Sequence, residues 1–367
     1  MNPSTASEAA PRPRSALDEV HRAAGASFIE AGGRLVPRDY GDVAGEHAAL
    51  ATGVGLVDRS ALGRAEVTGR DRTAFLQGML TNDVKGLAPG QGCGAAFLDA
   101  HGKVMALLAV YALPDRLWLE LPEGMTERTL QLLDKYLISE KVEFEPIDDA
   151  FAIVAVQGPR APALLAEVTG QALDLAPYAH VEAAIAGAPV RVINRAEAAV
   201  PGFHCWVPSE HAAAVWPALC AAGATPVGRA ALDVLRVEAG VPWYGRDVDE
   251  SVIMPETGLE SLVHYQKGCY IGQEVVARVK YRGHVNRGLT GLRLDGDRVP
   301  APGAAVRAGD REIGHVTSAV RSVSVGAPIA LGYVRREHRE PGSPVEILDG
   351  EVLIAARVAA LPFAVAP

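Results

Sequence analysis

Residues 267–274 read Lys267-Gly268-Cys269-Tyr270-Ile271-Gly272-Gln273-Glu274, and this octapeptide carries more chemistry than any other stretch of the chain. A thiol, Cys269, stands beside an ammonium, Lys267. A nearby cation favours the thiolate, the reactive form of cysteine. Gly268 and Gly272 let the backbone turn tightly and approach a ligand closely, and Gln273 and Glu274 add polar side chains. The pattern predicts an exposed, activated Cys269 with Lys267 as its catalytic partner. The competing reading is a glycine-rich turn around a packed cysteine.

Arg278, Lys280, Arg282 and Arg287, with His284 among them, follow directly, a basic run in a chain of net charge −9. Arginine grips carboxylates in a bidentate way. The run is therefore a candidate for an anionic ligand tail or an anionic partner surface; the alternative is a pair of solvated strands. The overall acidity argues against non-specific nucleic-acid binding, which needs a basic surface.

The length of 367 residues predicts two or three domains. Cys93, Cys205, Cys220 and Cys269 form no C-x-x-C pair, which fits a reducing cytoplasm better than a disulfide scaffold. No metal site is expected, the irregular trio His264, Cys269 and His284 being a minor alternative. No run approaches the ~20 apolar residues of a membrane span. Residues 1–27, rich in Ala, Pro, Ser and Arg, are expected to be a mobile tail.

Further out, a short helix is predicted between Gly69 and Gly78 and a strand over 104–111. The alternation of Leu117, Leu119 and Leu121 with Trp118 and Glu120 predicts a half-buried strand, and Phe151–Gln157 a buried one. Helices are expected over 161–168, over 209–222 with Ser209 as cap, and over 230–238. This irregular alternation argues for an α+β fold. From residue 288 onward, short β-branched runs between turn signals predict a small β-barrel or sandwich.

The octapeptide, continued by Val275-Val276-Ala277-Arg278, resembles the signature of the YgfZ-type folate-binding family, a relative of the glycine cleavage T-protein (aminomethyltransferase). Leu80-Thr81-Asn82-Asp83-Val84 resembles that family's early element. Arg236-Val237-Glu238-Ala239-Gly240 with Tyr244-Gly245 resembles an R-x-E-A-G…Y-G element shared with T-protein, and Ile329–Val334 a strand of the shared barrel. The resemblance implies a ring around a central channel: α+β folate-binding domains at 28–150 and 151–284, the second carrying the signature, and a barrel at 285–367. It implies tetrahydrofolate or another reduced folate as cofactor. Arg236 is then the best single contact, Asp83 a carboxylate for the pterin N–H edge, and Tyr244 and Arg278 further contacts. It implies a monomeric accessory protein that supports assembly or repair of iron–sulfur clusters in client enzymes, or works with assembly proteins, with no membrane or nucleic-acid partner.

Departures from T-protein point the same way. T-protein carries a G-G-x-I-D-D element; aligned through Gly102, this chain has Met105 and Ala106 in place of the aspartates. Val200 stands where T-protein has the glutamate that recognises pterin, in the stretch Glu197–His204. The expectation is therefore of a protein that is not an enzyme. The alternatives are a folate-dependent aminomethyl- or other one-carbon transferase or demethylase of the T-protein superfamily, and an interaction scaffold that binds no folate.

Overall fold

The structure, a computed structural model, describes residues 15–363. Apolar runs make Gly92–Leu98, Val104–Ala112 and Leu117–Leu121 strands, and these pair with Gly63–Thr68 and Glu143–Pro146 into a five-stranded sheet. Helices Arg72–Met79 and Thr126–Asp134 cover one face, burying Phe75, Leu76, Leu130 and Leu133 against it. A second, six-stranded sheet runs in the order His180–Ile185, Ala188–Asn194, Gly202–Pro208, Phe151–Gln157, Gly55–Asp58, Thr225–Pro226. Ala161–Thr169 and Ser209–Ala221 cover it with Leu164, Leu165, Trp216 and Leu219. Gly55–Asp58 lies ahead of the first sheet in the chain but pairs with Phe151–Gln157, so this lobe draws on separate stretches of sequence.

The remaining faces of the sheets meet through aromatic rings. Trp118 of the first stacks on Trp206 of the second, with ring centroids 5.1 Å apart and planes 10° from parallel. Tyr111, Ile153 and Ile193 complete this junction. It corrects one expectation. The strand Leu117–Leu121 is buried at every position, because the face that alternation assigned to solvent is covered by the other lobe.

The C-terminal part is a closed six-stranded barrel in the order Arg287–Leu294, Pro328–Arg335, Arg311–Arg321, Ala305–Ala308, Pro344–Asp349, Val352–Ala359. Closure leaves no unpaired strand edge. The architecture is thus α+β with a C-terminal barrel, as the sequence implied. The helix Arg229–Glu238 ties the lobes to the barrel with buried polar groups. Arg236 donates to Ser318 Oγ at 2.6 Å and to Asp247, while Glu238 accepts from His47, Ser322 and Ser324.

Three local expectations are corrected. The basic run is not a strand pair: Gln273–Arg282 is a helix, and the barrel begins at Arg287. Ser209 is the first helical residue rather than the cap, and its hydroxyl donates to the Asp149 carbonyl at 2.7 Å. Of the expected N-terminal tail, residues 1–14 lie outside the described range, whereas Leu17 is fully buried and Asp18–Ala23 is helical. Among the described residues no helix is long and apolar enough to cross a membrane.

Candidate functional site

The signature loop packs against the Leu80–Val84 element. Lys267 Nζ donates to the backbone carbonyls of Gln77, Leu80 and Asn82. These lie at and just beyond the C-terminus of the helix Arg72–Met79, where carbonyls lack helical partners and a cation is favoured. Thr81 Oγ1 donates to the Leu262 carbonyl at 2.6 Å, and the His264 amide donates to the Thr81 carbonyl at 3.0 Å. Burial pushes the Lys267 ammonium down to about 8, opposed by Asp83 and Cys93. Cys269 is exposed. The expected partnership of Lys267 with Cys269 is therefore corrected: the ammonium clamps the signature loop to the first lobe through three carbonyls.

Gly272 caps the following helix at φ +81°, where a Cβ would lie 2.5 Å from the Asp99 carbonyl oxygen. Gln273 accepts the Tyr270 amide at 3.2 Å, and the Tyr270 ring lies 5.1 Å from the Lys267 ammonium. Gly268, Glu274 and Arg278 are exposed. Asp83 accepts from Gln77 Nε2 at 2.9 Å and from the Gly86 amide, closing its own turn. These residues form one loop–helix unit.

A cavity of about 230 Å³ lies elsewhere, at the junction of the sheets with the segment Val241–Tyr244. Arg59, Glu120, Glu123, Tyr178, Arg195, Glu197, His204, Arg229, Trp243, Tyr244 and Ser261 supply its polar and aromatic lining. A larger cavity of about 930 Å³, beside the barrel, takes His284 and Arg287 of the basic run, with Glu256, Arg335, Arg336 and Glu337. The smaller one gathers the buried titratable groups and is the better candidate for chemistry.

Its wall is a chain of ion pairs. His204 directs Nδ1 to Glu120 Oε2 at 2.8 Å and Nε2 to Glu197 Oε1 at 2.7 Å. Ionised carboxylates only accept, so both ring nitrogens must donate and the ring is an imidazolium. Burial alone would lower its pKa; the flanking carboxylates outweigh burial and raise it. Burial likewise would raise Glu120, but His204 and Arg195 hold it down at about 2. Arg59 and His204 hold Glu197 well below the usual carboxylate range against the same burial. Arg59 Nε bonds Glu197 Oε1 at 2.8 Å and its Nη1 bonds Glu123 Oε1 at 2.6 Å, while Arg229 takes that same Glu123 oxygen. The Arg229 and Arg59 guanidinium carbons lie 4.6 Å and 5.1 Å from the Trp243 ring centroid.

Tyr178 is one of the non-glycine residues held at positive φ, +64°. Such a conformation costs about 1–3 kcal/mol and often marks a working site. Its ring lies under Arg195 at 5.2 Å.

Of the residues singled out in the sequence, Tyr244 lines this cavity and donates its hydroxyl to the Met105 carbonyl at 2.5 Å. Arg236 does not line it. Its guanidinium is fully buried behind Trp243 and spent on Asp233, Val241, Asp247 and Ser318, so the expected direct ligand contact is corrected to a structural one. The chain's own signal for the missed residues was Glu120 and His204 set inside otherwise apolar strand runs, where a charge needs a partner.

The two-lobed architecture and the closed barrel agree with the comparisons to known proteins. Residues 17–267 match the GCVT N-terminal domain, and residues 287–364 match the glycine cleavage T-protein C-terminal barrel domain. The aminomethyltransferase of Streptomyces coelicolor is 34% identical over 90% of this chain and 91% of its own. That of Chloroherpeton thalassium is 32% identical over 95% and 97%. The crystal structure of glycine cleavage system aminomethyltransferase T from Bartonella henselae superposes with a TM-score of 0.87 at 25% identity, covering 96% of this chain and 98% of that one. The chain belongs to the glycine cleavage T-protein family.

This corrects the functional expectation. The YgfZ-type assignment, with its iron–sulfur role and client enzymes, rested chiefly on a short loop and a few motifs. The matches to aminomethyltransferases run through 339 residues and more. The inference from Met105 and Ala106 to a protein that is not an enzyme is corrected by the same finding.

Proposed function

We propose that the chain is a folate-dependent one-carbon transferase that binds a reduced folate in the cavity between its lobes. The observation that carries this reading is the end-to-end likeness to proteins named aminomethyltransferases. The cavity supports it. Tyr178 and Trp243 bring aromatic rings to the lining, the Arg195 and Arg229 guanidinium groups that lie over them offer cations to the carboxylates of a folate tail, and buried carboxylates offer acceptors to ring N–H groups.

The Gly102 element brings no acid. Ala106 is buried in the first-lobe core, Met105 packs against it, and Leu107 and Leu108 face the cavity. Electrostatic assistance to a bound folate then falls to the charged groups of the cavity lining, among them His204 with Glu120 and Glu197. Cys269 remains a candidate only for chemistry at the surface, since the cavity is lined without it. Calorimetric titration of tetrahydrofolate into the protein tests the binding step; absence of heat at millimolar folate contradicts the proposal.

A further inference from the structure

The basic run after the signature does not reach the cavity between the lobes; it meets the barrel. Its last members, His284 and Arg287, line the cavity of about 930 Å³ together with Arg335 and Arg336. The barrel register sets Arg287 directly opposite Arg335 on adjacent antiparallel strands, so both side chains leave the same face, where like charges repel. Arg287 is held in place. Its Nε faces Glu256 at 3.3 Å, its Nη2 donates to the Ser251 carbonyl at 2.8 Å, and its guanidinium carbon lies 5.3 Å from the Tyr333 ring centroid. The Arg335 and Arg336 guanidinium groups are exposed and form no hydrogen bond or ion pair with any described residue. The lining carboxylates leave them so: Glu256 is taken by Arg287, and Glu337 lies 3.8 Å from Arg311, with Arg335 acting on it only at longer range. A second cavity, of about 510 Å³, shares Glu256, His284 and Arg336 with the first and adds Val279, Val285, Leu289 and Tyr265. Arg339 also lines it, resting against Gly288, where any Cβ would strike its Nη1.

We propose that these two adjoining cavities form a binding site for a phosphate monoester with an apolar or aromatic body, separate from the cavity between the lobes. The surplus of unanswered guanidinium groups sets the charge of the ligand. Its head follows from their number. A carboxylate has two coplanar oxygens, which a single arginine fork satisfies, whereas a phosphate dianion carries three terminal oxygens and accepts from several donors on different elements. Arg335 and Arg336 supply such donors at the end of one barrel strand, and Arg287 adds its uncommitted Nη1 from the strand beside it. A bound dianion also offsets the repulsion between the opposed Arg287 and Arg335. The body of the ligand follows from the second cavity, where Val279, Val285, Leu289 and the Tyr265 ring offer apolar surface next to the shared Arg336. The inference stands independently of the folate reading.

The test is calorimetric titration of the full chain with three probes: phenyl phosphate, inorganic phosphate, which keeps the head without the body, and benzoate, which keeps the body under a carboxylate. Constant ionic strength holds general screening fixed. Phenyl phosphate should bind saturably, at least about 10-fold more tightly than either of the others. Arg335→Gln and Arg336→Gln should each weaken it about 10- to 100-fold, the factor for a charge-assisted hydrogen bond. Neither substitution should lower the melting temperature of the ligand-free protein, since neither guanidinium has a partner to lose. Inorganic phosphate binding as tightly as phenyl phosphate reveals a bare anion site and overturns the ester. Benzoate binding as tightly overturns the preference for phosphate. No saturable binding of phenyl phosphate, or binding that both variants leave unchanged, overturns the site.

Discussion

His204 bears a carboxylate on each ring nitrogen, and its charge ties stability to pH. Its folded pKa is raised, so its contribution is fully present below the unfolded value of about 6.5 and is lost as pH rises through the folded value. Glu120 and Glu197 are held low, so theirs is present above the ordinary carboxylate range and lost as pH falls, for Glu120 toward about 2. Denaturant melts against pH should therefore show stability declining from neutral toward alkaline pH, and His204→Gln should remove that slope while costing about 3–5 kcal/mol at pH 6, the scale for breaking a buried ion pair. Lys267 makes a second case. Lys267→Met strips a donor from backbone carbonyls and should cost about 1.5–3 kcal/mol, read as a lowered denaturation midpoint, whereas Cys269→Ser at an exposed position should stay within about 0.5 kcal/mol. In a timed alkylation map Cys269 should label first, because burial pushes the Cys93 and Cys205 thiols up to about 12 and raises Cys220 as well. The exposure of Cys269 followed from its glycine neighbours. The destination of the Lys267 ammonium did not, because its acceptors are backbone carbonyls some 190 residues away, which no side-chain pattern announces.

Most of the regular elements were legible because their apolar periods and turn residues agree. The barrel strands and Phe151–Gln157 fall where alternation and Gly or Pro punctuation place them. The failures have a common physical cause, tertiary contact overriding the local pattern. Leu117–Leu121 alternates like a half-exposed strand, yet Trp118 finds Trp206 across the lobe junction. The helix Gln273–Arg282 was hidden by its charges, although Gly272 ahead of it and Glu274 in its first turn mark a helix start. That start depends on glycine. At Gly272 both the positive φ and the Asp99 carbonyl exclude a Cβ, so Gly272→Ala should destabilise by about 1–3 kcal/mol and loosen the helix, measurable as faster amide exchange over residues 273–282.

At the scale of the molecule, the lobes and barrel define a T-protein architecture, and the cavity between the lobes gives it a place for chemistry. The sequence showed the architecture through motifs, but it assigned the site to the octapeptide, since a cysteine beside a lysine is visible along the chain. The cavity residues come from strands, loops and a helix between Arg59 and Leu262 that fold together only in three dimensions. The most direct test of one-carbon transfer is a reconstituted glycine cleavage assay with this chain in place of T-protein. It follows conversion of tetrahydrofolate to 5,10-methylenetetrahydrofolate as the aminomethyl carbon bridges the folate nitrogens and ammonia leaves. The account predicts turnover at least about 100-fold above the reaction without the chain, the scale of preorganised electrostatic assistance, with His204→Gln slowing it. Methylenetetrahydrofolate forming no faster with the chain than without it, while calorimetry shows the folate bound, would contradict the account.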